Sequence, residues 1–178
     1  MGMRWFWIDR FLEFECGRRA KAIKNISLAE DHLQDHFPGY PVMPASLIVE
    51  GAAQTGGLLV AQCSDFREKV VLAKVSSARF YAEAVPGDTL TYTATIEALQ
   101  QDGASVQATV HRGEELLAEL QLMFAHLNDG FADKTLFKPK TLLFWLRALG
   151  TFQVGRLPDG SPLQEPDWMR QAEAADPD

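Results

Sequence analysis

In the stretch "DHFPGYPVMPASLIVE", His36 and Glu50 stand fourteen residues apart. Pro38 and Gly39 put His36 in a turn rather than a regular helix. An imidazole there can take or give a proton near neutral pH, although a lone histidine in a turn is more often structural. Glu50 interrupts an apolar run of Leu47, Ile48, Val49, Ala52 and Ala53. A carboxylate among such neighbours must be paired, hydrogen-bonded or neutralised. Burial favours its neutral form, which suits a general acid. Gln54 follows one helical turn later on the same face. The start of that helix, at Ala45 and Ser46, leaves backbone N–H groups without intrahelical partners. With the helix dipole they can stabilise an oxygen that gains negative charge. A base, an acid and an electrophilic oxygen site thus gather around one helix start.

The elements that must position these groups are readable from periodicity. "RWFWIDRFLEFE" opens as a short helix or loop and enters a strand, and "AKAIKNIS" alternates as a strand. Residues 30–44 are rich in turn formers and polar side chains. "PASLIVEGAAQTGGLLVAQC" reads as a helix of about five turns. Pro44 suits its first position, and it is apolar nearly all round, so it is buried on most sides. Gly51, Gly56 and Gly57 allow a neighbouring backbone to come close. From residue 70 the period becomes two. "KVVLAKVSSARFYAEA" reads as a strand broken at Ser76 and Ser77. Leu90, Tyr92, Ala94 and Ile96 share one side of the next strand, and Asp102-Gly103 marks a hairpin. "VQATVHR" and "ELLAELQLMFAHL" complete a meander. The pattern predicts an α+β domain in which one curved antiparallel sheet encloses one long helix. Residues 128–178 form a separate extension, with a short amphipathic helix over 141–150 ended by Gly150 and a frayed acidic tail, "QAEAADPD".

The segment "HFPGYPVMPASLIVEGAAQ" resembles the active-site segment of the bacterial 3-hydroxyacyl-acyl-carrier-protein dehydratases. That family carries a histidine in an HFPG-like turn, then PVMP, then a helix bearing a carboxylate. The His36–Glu50 spacing and the Glu-x-x-x-Gln pattern of Glu50 and Gln54 match it. "IDRFLEF", "AKAIKNIS" and "ARFYAEAVPGD" are similar to its flanking strands, so the resemblance spans roughly residues 4–127. It implies the hot-dog fold over residues 1–127 and elimination of water from 3-hydroxyacyl thioesters. By resemblance, His36 takes the C2 proton and Glu50 orients or protonates the leaving hydroxyl. The Ala45 N–H polarises the thioester carbonyl, and Gln54 joins the substrate site. Phe37, Val42, Met43 and Phe80 become candidates for the lining of an acyl tunnel, each also open to ordinary core packing. The resemblance further implies a homodimer, or a trimer of dimers, whose sites draw His36 and Glu50 from different subunits. It implies acyl carrier protein as the partner that bears the substrate. It implies no metal and no redox cofactor, since the phosphopantetheine arm belongs to the substrate.

Two positions depart from the family pattern. Ala45 stands where glycine is usual, so a methyl group comes close to the thioester, and Asp35 precedes His36 where glycine is frequent. A hot-dog acyl thioesterase using Glu50, and a non-catalytic acyl-binding subunit, are the rival readings. The retained His36 in its HFPG turn favours dehydration over the first.

The rest of the composition sets bounds. The chain has 178 residues, 47% apolar and 23% charged, and a net charge of -7. That argues against nucleic acid as a main partner, which would need a basic face. The cluster of Arg18, Arg19, Lys21 and Lys24 reads as a solvated strand face or a local docking patch. Asp9, Arg10 and Glu13 interrupt the first apolar bursts too early for a signal peptide, and no run approaches a membrane span. These features point to the cytoplasm. Cys16 and Cys63 form no CxxC pair, and His32 and His36 lack the HExxH glutamate and a third ligand. His111 and His126 at the strand ends read as solvated and structural.

Overall fold

The computed structural model of the protein describes residues 6–127 and 138–175. Trp5, at the start of the first apolar burst, the segment 128–137 and the last three residues of the acidic tail lie outside them.

The chain enters through an irregular stretch, residues 6–9, into the hairpin β1 (Arg10–Glu15) and β2 (Arg19–Asn25). A short helix α1 (Asp31–Asp35) follows, within the stretch expected to be turns, and it ends at His36. The long helix α2 (Ala45–Gln62) comes next, with Pro44 as its N-cap. The strands β3 (Val70–Phe80), β4 (Thr89–Gln100), β5 (Gly103–Arg112) and β6 (Glu115–His126) then form the meander. After the undescribed segment come α3 (Pro139–Ala148), α4 (Thr151–Val154), the two-residue β7 (Gly155–Arg156) and α5 (Asp167–Ala175). The seven strands make one sheet in the order β3-β6-β5-β4-β2-β1-β7. All neighbours are antiparallel except β1 and β7, which pair in parallel through Phe14 with Gly155 and Glu15 with Arg156.

Alternation along the strands builds the core. Leu90, Tyr92 and Ala94 of β4 are fully buried, as are Val106, Ala108 and Val110 of β5 and Leu122 of β6. They face Ile48, Ala52, Leu59 and Val60 of α2, also buried. In β4 the alternation stops at a register shift between Ile96 and Ala98, so Ile96 is only half-buried. Ser76 and Ser77 do not break β3. The strand absorbs them in register shifts between Leu72 and Lys74 and between Val75 and Ser77, because β-bulges let a strand bend without ending. Among the described residues no helix is long and apolar enough to cross a membrane.

The helical glycines admit side chains and, at Gly51, a neighbouring backbone as well, since a Cβ there would lie 3.0 Å from the Trp7 carbonyl oxygen. A Cβ on Gly51 would lie 2.6 Å from Tyr92 Cζ and 2.7 Å from its hydroxyl, and a Cβ on Gly56 would meet Val106. The Tyr92 hydroxyl is buried and has no hydrogen-bond partner among the described residues. Burial, with the Asp9 carboxylate adding to it, holds that phenol well above its usual pKa, so it stays neutral. A buried unsatisfied hydroxyl costs about 1–3 kcal/mol. Tyr92→Phe is therefore expected to leave the melting temperature unchanged or raise it. Gly51→Ala is expected to lower it by several degrees, because overpacking outweighs the better helix propensity. A melting temperature several degrees lower in Tyr92→Phe would show that the hydroxyl has a partner the packing does not reveal.

The extension is folded onto the domain. The Phe11 N–H donates to the Leu149 carbonyl at 2.8 Å, and the Cys16 N–H donates to Arg156 at 2.9 Å. Leu143 and Leu146 of α3 bury themselves with Met169 of α5 and Phe66, against Leu58 and Ala61 of α2. Gly150, at φ 72, ends α3 as the sequence suggests. Residues 171–175, expected to fray, are helical instead. Met169 anchors α5 on one side, and Arg147 grips Glu173 and Glu165 at 2.7 Å on the other. The Trp168 indole N–H also donates to the Asp65 carbonyl at 2.9 Å.

Candidate active site

His36 closes α1 and opens a tight turn. The Val42 N–H donates to the His36 carbonyl at 2.9 Å, and Phe37 and Tyr40 exchange backbone hydrogen bonds at 2.9 and 2.8 Å. The His36–Phe37 peptide is cis, and the Phe37 ring stacks on the imidazole with centroids 4.1 Å apart. His36 Nδ1 lies 3.0 Å from the Val42 carbonyl oxygen. A carbonyl only accepts, so Nδ1 carries the proton and Nε2 presents its lone pair. The imidazole is thereby set as a base at Nε2. Among the described residues nothing bonds that nitrogen.

Glu50 lies in the second turn of α2 and is half-buried in the single chain, not enclosed as its apolar neighbours suggest. Its oxygen Oε1 accepts from Gln54 Nε2 at 2.9 Å. The Gln54 Oε1 in turn accepts the backbone N–H of Trp7 at 2.8 Å. Turning the carboxamide over would set its NH₂ against that N–H donor, so the Trp7 contact decides which end faces Glu50. The second carboxylate oxygen of Glu50 stays unbonded among the described residues. Trp7 thus belongs to the site through its backbone, a role that carries no sequence signal.

The start of α2 is open. Leu47 and Ile48 donate to the Pro44 carbonyl, while the N–H groups of Ala45 and Ser46 have no partner among the described residues. Both residues are exposed, so these donors face outward with the positive end of an eighteen-residue helix behind them.

The structure sorts the other sequence candidates. Val42 is buried and contributes its carbonyl to His36. Met43 is buried in the main core cluster, with its N–H on the Ala84 carbonyl at 2.8 Å. Phe37 is 56% exposed beside His36. Phe80 lies at the end of β3, 39% exposed. Asp35 is exposed at the end of α1. The basic cluster on β2 is neutralised: Arg18 meets Glu15, Arg19 meets Glu13 and Glu15, Lys21 meets Glu13, and Lys24 meets Glu30 and Asp9. That fits a solvated strand face. Within one chain His36 and Glu50 share neither a hydrogen bond nor an ion pair.

The FabA-like domain model matches residues 3–120, a span that holds the imidazole, the carboxylate and the helix start together. The chain belongs to the FabA-like family. It is 41% identical over 119 residues to the 3-hydroxyacyl-[acyl-carrier-protein] dehydratase FabZ of Pelotomaculum thermopropionicum, covering 66% of this chain and 85% of that protein. It is 40% identical to the enzyme of the same name from Clostridioides difficile, covering 66% and 84%. Among solved structures it is similar in fold to the dehydratase heterocomplex ApeI:P from Xenorhabdus doucetiae. The TM-score is 0.61 at 13% identity, covering 73% of this chain and 88% of that one. It also resembles the conserved protein PA5202 from Pseudomonas aeruginosa, with a TM-score of 0.56 at 20% identity over 66% and 87% of the two chains. The fold is the hot-dog fold, a curved sheet around a central helix. The helices α3 to α5 of this FabA-like protein lie beyond the matched residues.

Proposed function

We propose that this chain is a 3-hydroxyacyl-[acyl-carrier-protein] dehydratase of fatty acid or related acyl-chain synthesis. It eliminates water to give trans-2-enoyl thioesters, and it works as a homodimer with composite sites in the cytoplasm. The observation that carries the reading is the tautomer of His36, whose lone pair at Nε2 is available in the turn that leads into an exposed helix start. The FabZ relatives support the substrate class. Residues 1–127 make the catalytic domain and 128–178 the extension.

In this mechanism the thioester oxygen sits against the Ala45 N–H. His36 Nε2 takes the C2 proton, and the enolate charge that develops is met by that N–H and the helix dipole. Hydroxide is a poor leaving group, so Glu50 orients the 3-hydroxyl and supplies the proton with which it departs as water. Each such proton transfer contributes about 10²–10⁴-fold. The proton on His36 and the one lost by Glu50 balance at the end of the turn. Gln54 orients the acid, and Phe37 and Phe80 line the approach of the acyl chain.

The open edge of the sheet supports the second subunit. Leu72, Val75 and Phe80 pair with Phe124, Leu122 and Ala118, all buried. Directly opposed residues share a face, so this row points to the same side as α2. Yet these three are 37–39% exposed at an edge strand with free backbone groups. An apolar row beside an unpaired edge fits pairing with β3 of a second copy. In the composite-site reading, the second copy so paired supplies the Glu50 that works with His36.

The reaction is tested by incubating the protein with crotonyl and 3-hydroxybutyryl thioesters of a carrier. Interconversion of the two is expected. Release of free thiol would replace the dehydratase with a thioesterase, and binding without any change would leave an acyl-binding subunit.

A further inference from the structure

The carboxylate of Glu50 is oriented from outside its own helix, and the contacts that do so lead out of the residues the FabA-like family model matches. Gln54 holds Glu50, and the Trp7 backbone N–H holds Gln54. Trp7 sits in the irregular stretch before β1, where no strand ladder fixes the backbone. The ring of the preceding residue, Phe6, stacks on Trp145 of α3, with centroids 4.2 Å apart and planes tilted by 32°. The seat of α3 does not depend on that stack. Leu143 and Leu146 are fully buried with Phe66 and Met169, and Arg147 is tied to Glu165 and Glu173. A helix seated by its own core therefore holds Phe6, one residue away from the N–H that sets Gln54, while the Trp7 ring, buried in the main core, fixes the other side of that peptide.

We propose that the extension helix α3, through Trp145, positions the catalytic carboxylate. Trp145 fixes Phe6, the Phe6–Trp7 backbone presents its N–H to Gln54, and Gln54 turns its amide donor to Glu50. Trp145 is a positioning residue and touches no substrate. The proposal rests on the dehydratase reading for the role of Glu50, while the contacts themselves do not. It gives the extension, which lies outside residues 3–120, a function in the site besides covering the β1 edge.

The test uses the full chain and a double-mutant cycle. Trp145→Ala is expected to lower kcat by about 5–30-fold with KM within about two-fold. Trp145→Phe, which keeps a ring on Phe6, is expected to recover most of the loss. Thr141→Ala, at an exposed position on the same helix, is expected to behave as wild type. In a Gln54→Ala background the further loss of Trp145 is expected to cost less than about two-fold, because the coupling has already been removed. Effects that simply multiply, or an unchanged kcat in folded Trp145→Ala, would overturn the proposal. Should Trp145→Ala fail to fold, Phe6→Leu removes the other half of the stack and must show the same coupling. A readout without turnover separates this proposal from the functional reading. The Gln54 side-chain amide resonances, assigned by their loss in Gln54→Ala, are expected to shift in Trp145→Ala and to stay in place in Thr141→Ala. If they do not move, the positioning role is wrong even in an active dehydratase. If they move in a chain that dehydrates nothing, the contacts stand and the dehydratase reading is what fails.

Discussion

His36→Ala is expected to lower kcat/KM for 3-hydroxyacyl thioesters by at least about 10²-fold while the protein stays folded. The two halves of this expectation come from different atoms. The chemistry rests on Nε2, which keeps its lone pair because Nδ1 faces the Val42 carbonyl. Neither His32 nor His126 replaces it. His32 is held neutral mainly by burial and lies edge-on to Trp7 at 5.0 Å, while His126 is at the far end of β6 beside Glu68. The fold rests on backbone. The turn is closed by Val42, Phe37 and Tyr40 main-chain bonds that alanine leaves intact. The side chain itself is half-buried and makes one hydrogen bond, worth about 1 kcal/mol. Steady-state turnover beside a melting curve checks both halves. A folded variant with near-normal dehydration would mean that another group takes the C2 proton.

The parts of this molecule that sequence reveals are those whose chemistry is written in a local pattern. The helix Ala45–Gln62 is legible because Pro44 stops what precedes it and eighteen residues stay apolar on most sides. The meander is legible because Leu90, Tyr92 and Ala94 keep a strict period of two. His36 and Glu50 are legible because each breaks its surroundings, one as a titratable group in a Pro/Gly turn and the other as a charge in an apolar run. What stays hidden depends on distant partners. A two-residue strand such as β7 has no period to read, and it exists because the β1 edge offers a ladder to it. The acidic segment 171–175 looks like a solvated tail until Arg147, twenty-six residues before Glu173, is seen to hold it. The Trp7 N–H that orients Gln54 belongs to the backbone, which every residue has. The exposure of Glu50 is hidden for another reason. The apolar neighbours around it in sequence wrap to the other faces of the helix, and its own face is left half open for Gln54 and, in the proposed dimer, a second subunit.

That second subunit makes an expected gain of activity rather than a loss. Mixing His36→Ala with Glu50→Gln, each nearly inactive alone, is expected to restore turnover after the subunits exchange. In a composite site the histidine of one chain works with the glutamate of the other. A heterodimer of the two variants then holds one site with both substitutions and one with neither. Random exchange gives about half heterodimers, each with one intact site of two, so about a quarter of the wild-type site number returns. Against a background near one part in a hundred for each variant, this is roughly a 25-fold gain. The structure gives two reasons to expect it. His36 and Glu50 are not bonded within one chain, and the apolar row of Leu72, Val75 and Phe80 lies bare on the α2 side of the open β3 edge. Exchange is followed by native mass of the mixed dimer, with a mass label on one variant. A heterodimer seen by mass that recovers no turnover would place both groups of a site in one chain, and the β3 edge would then need another partner. A cut across that edge adds an independent check. Val75→Glu puts a charge into the apolar row opposite Leu122, and it is expected to give a folded monomer in which neither His36 nor Glu50 supports turnover.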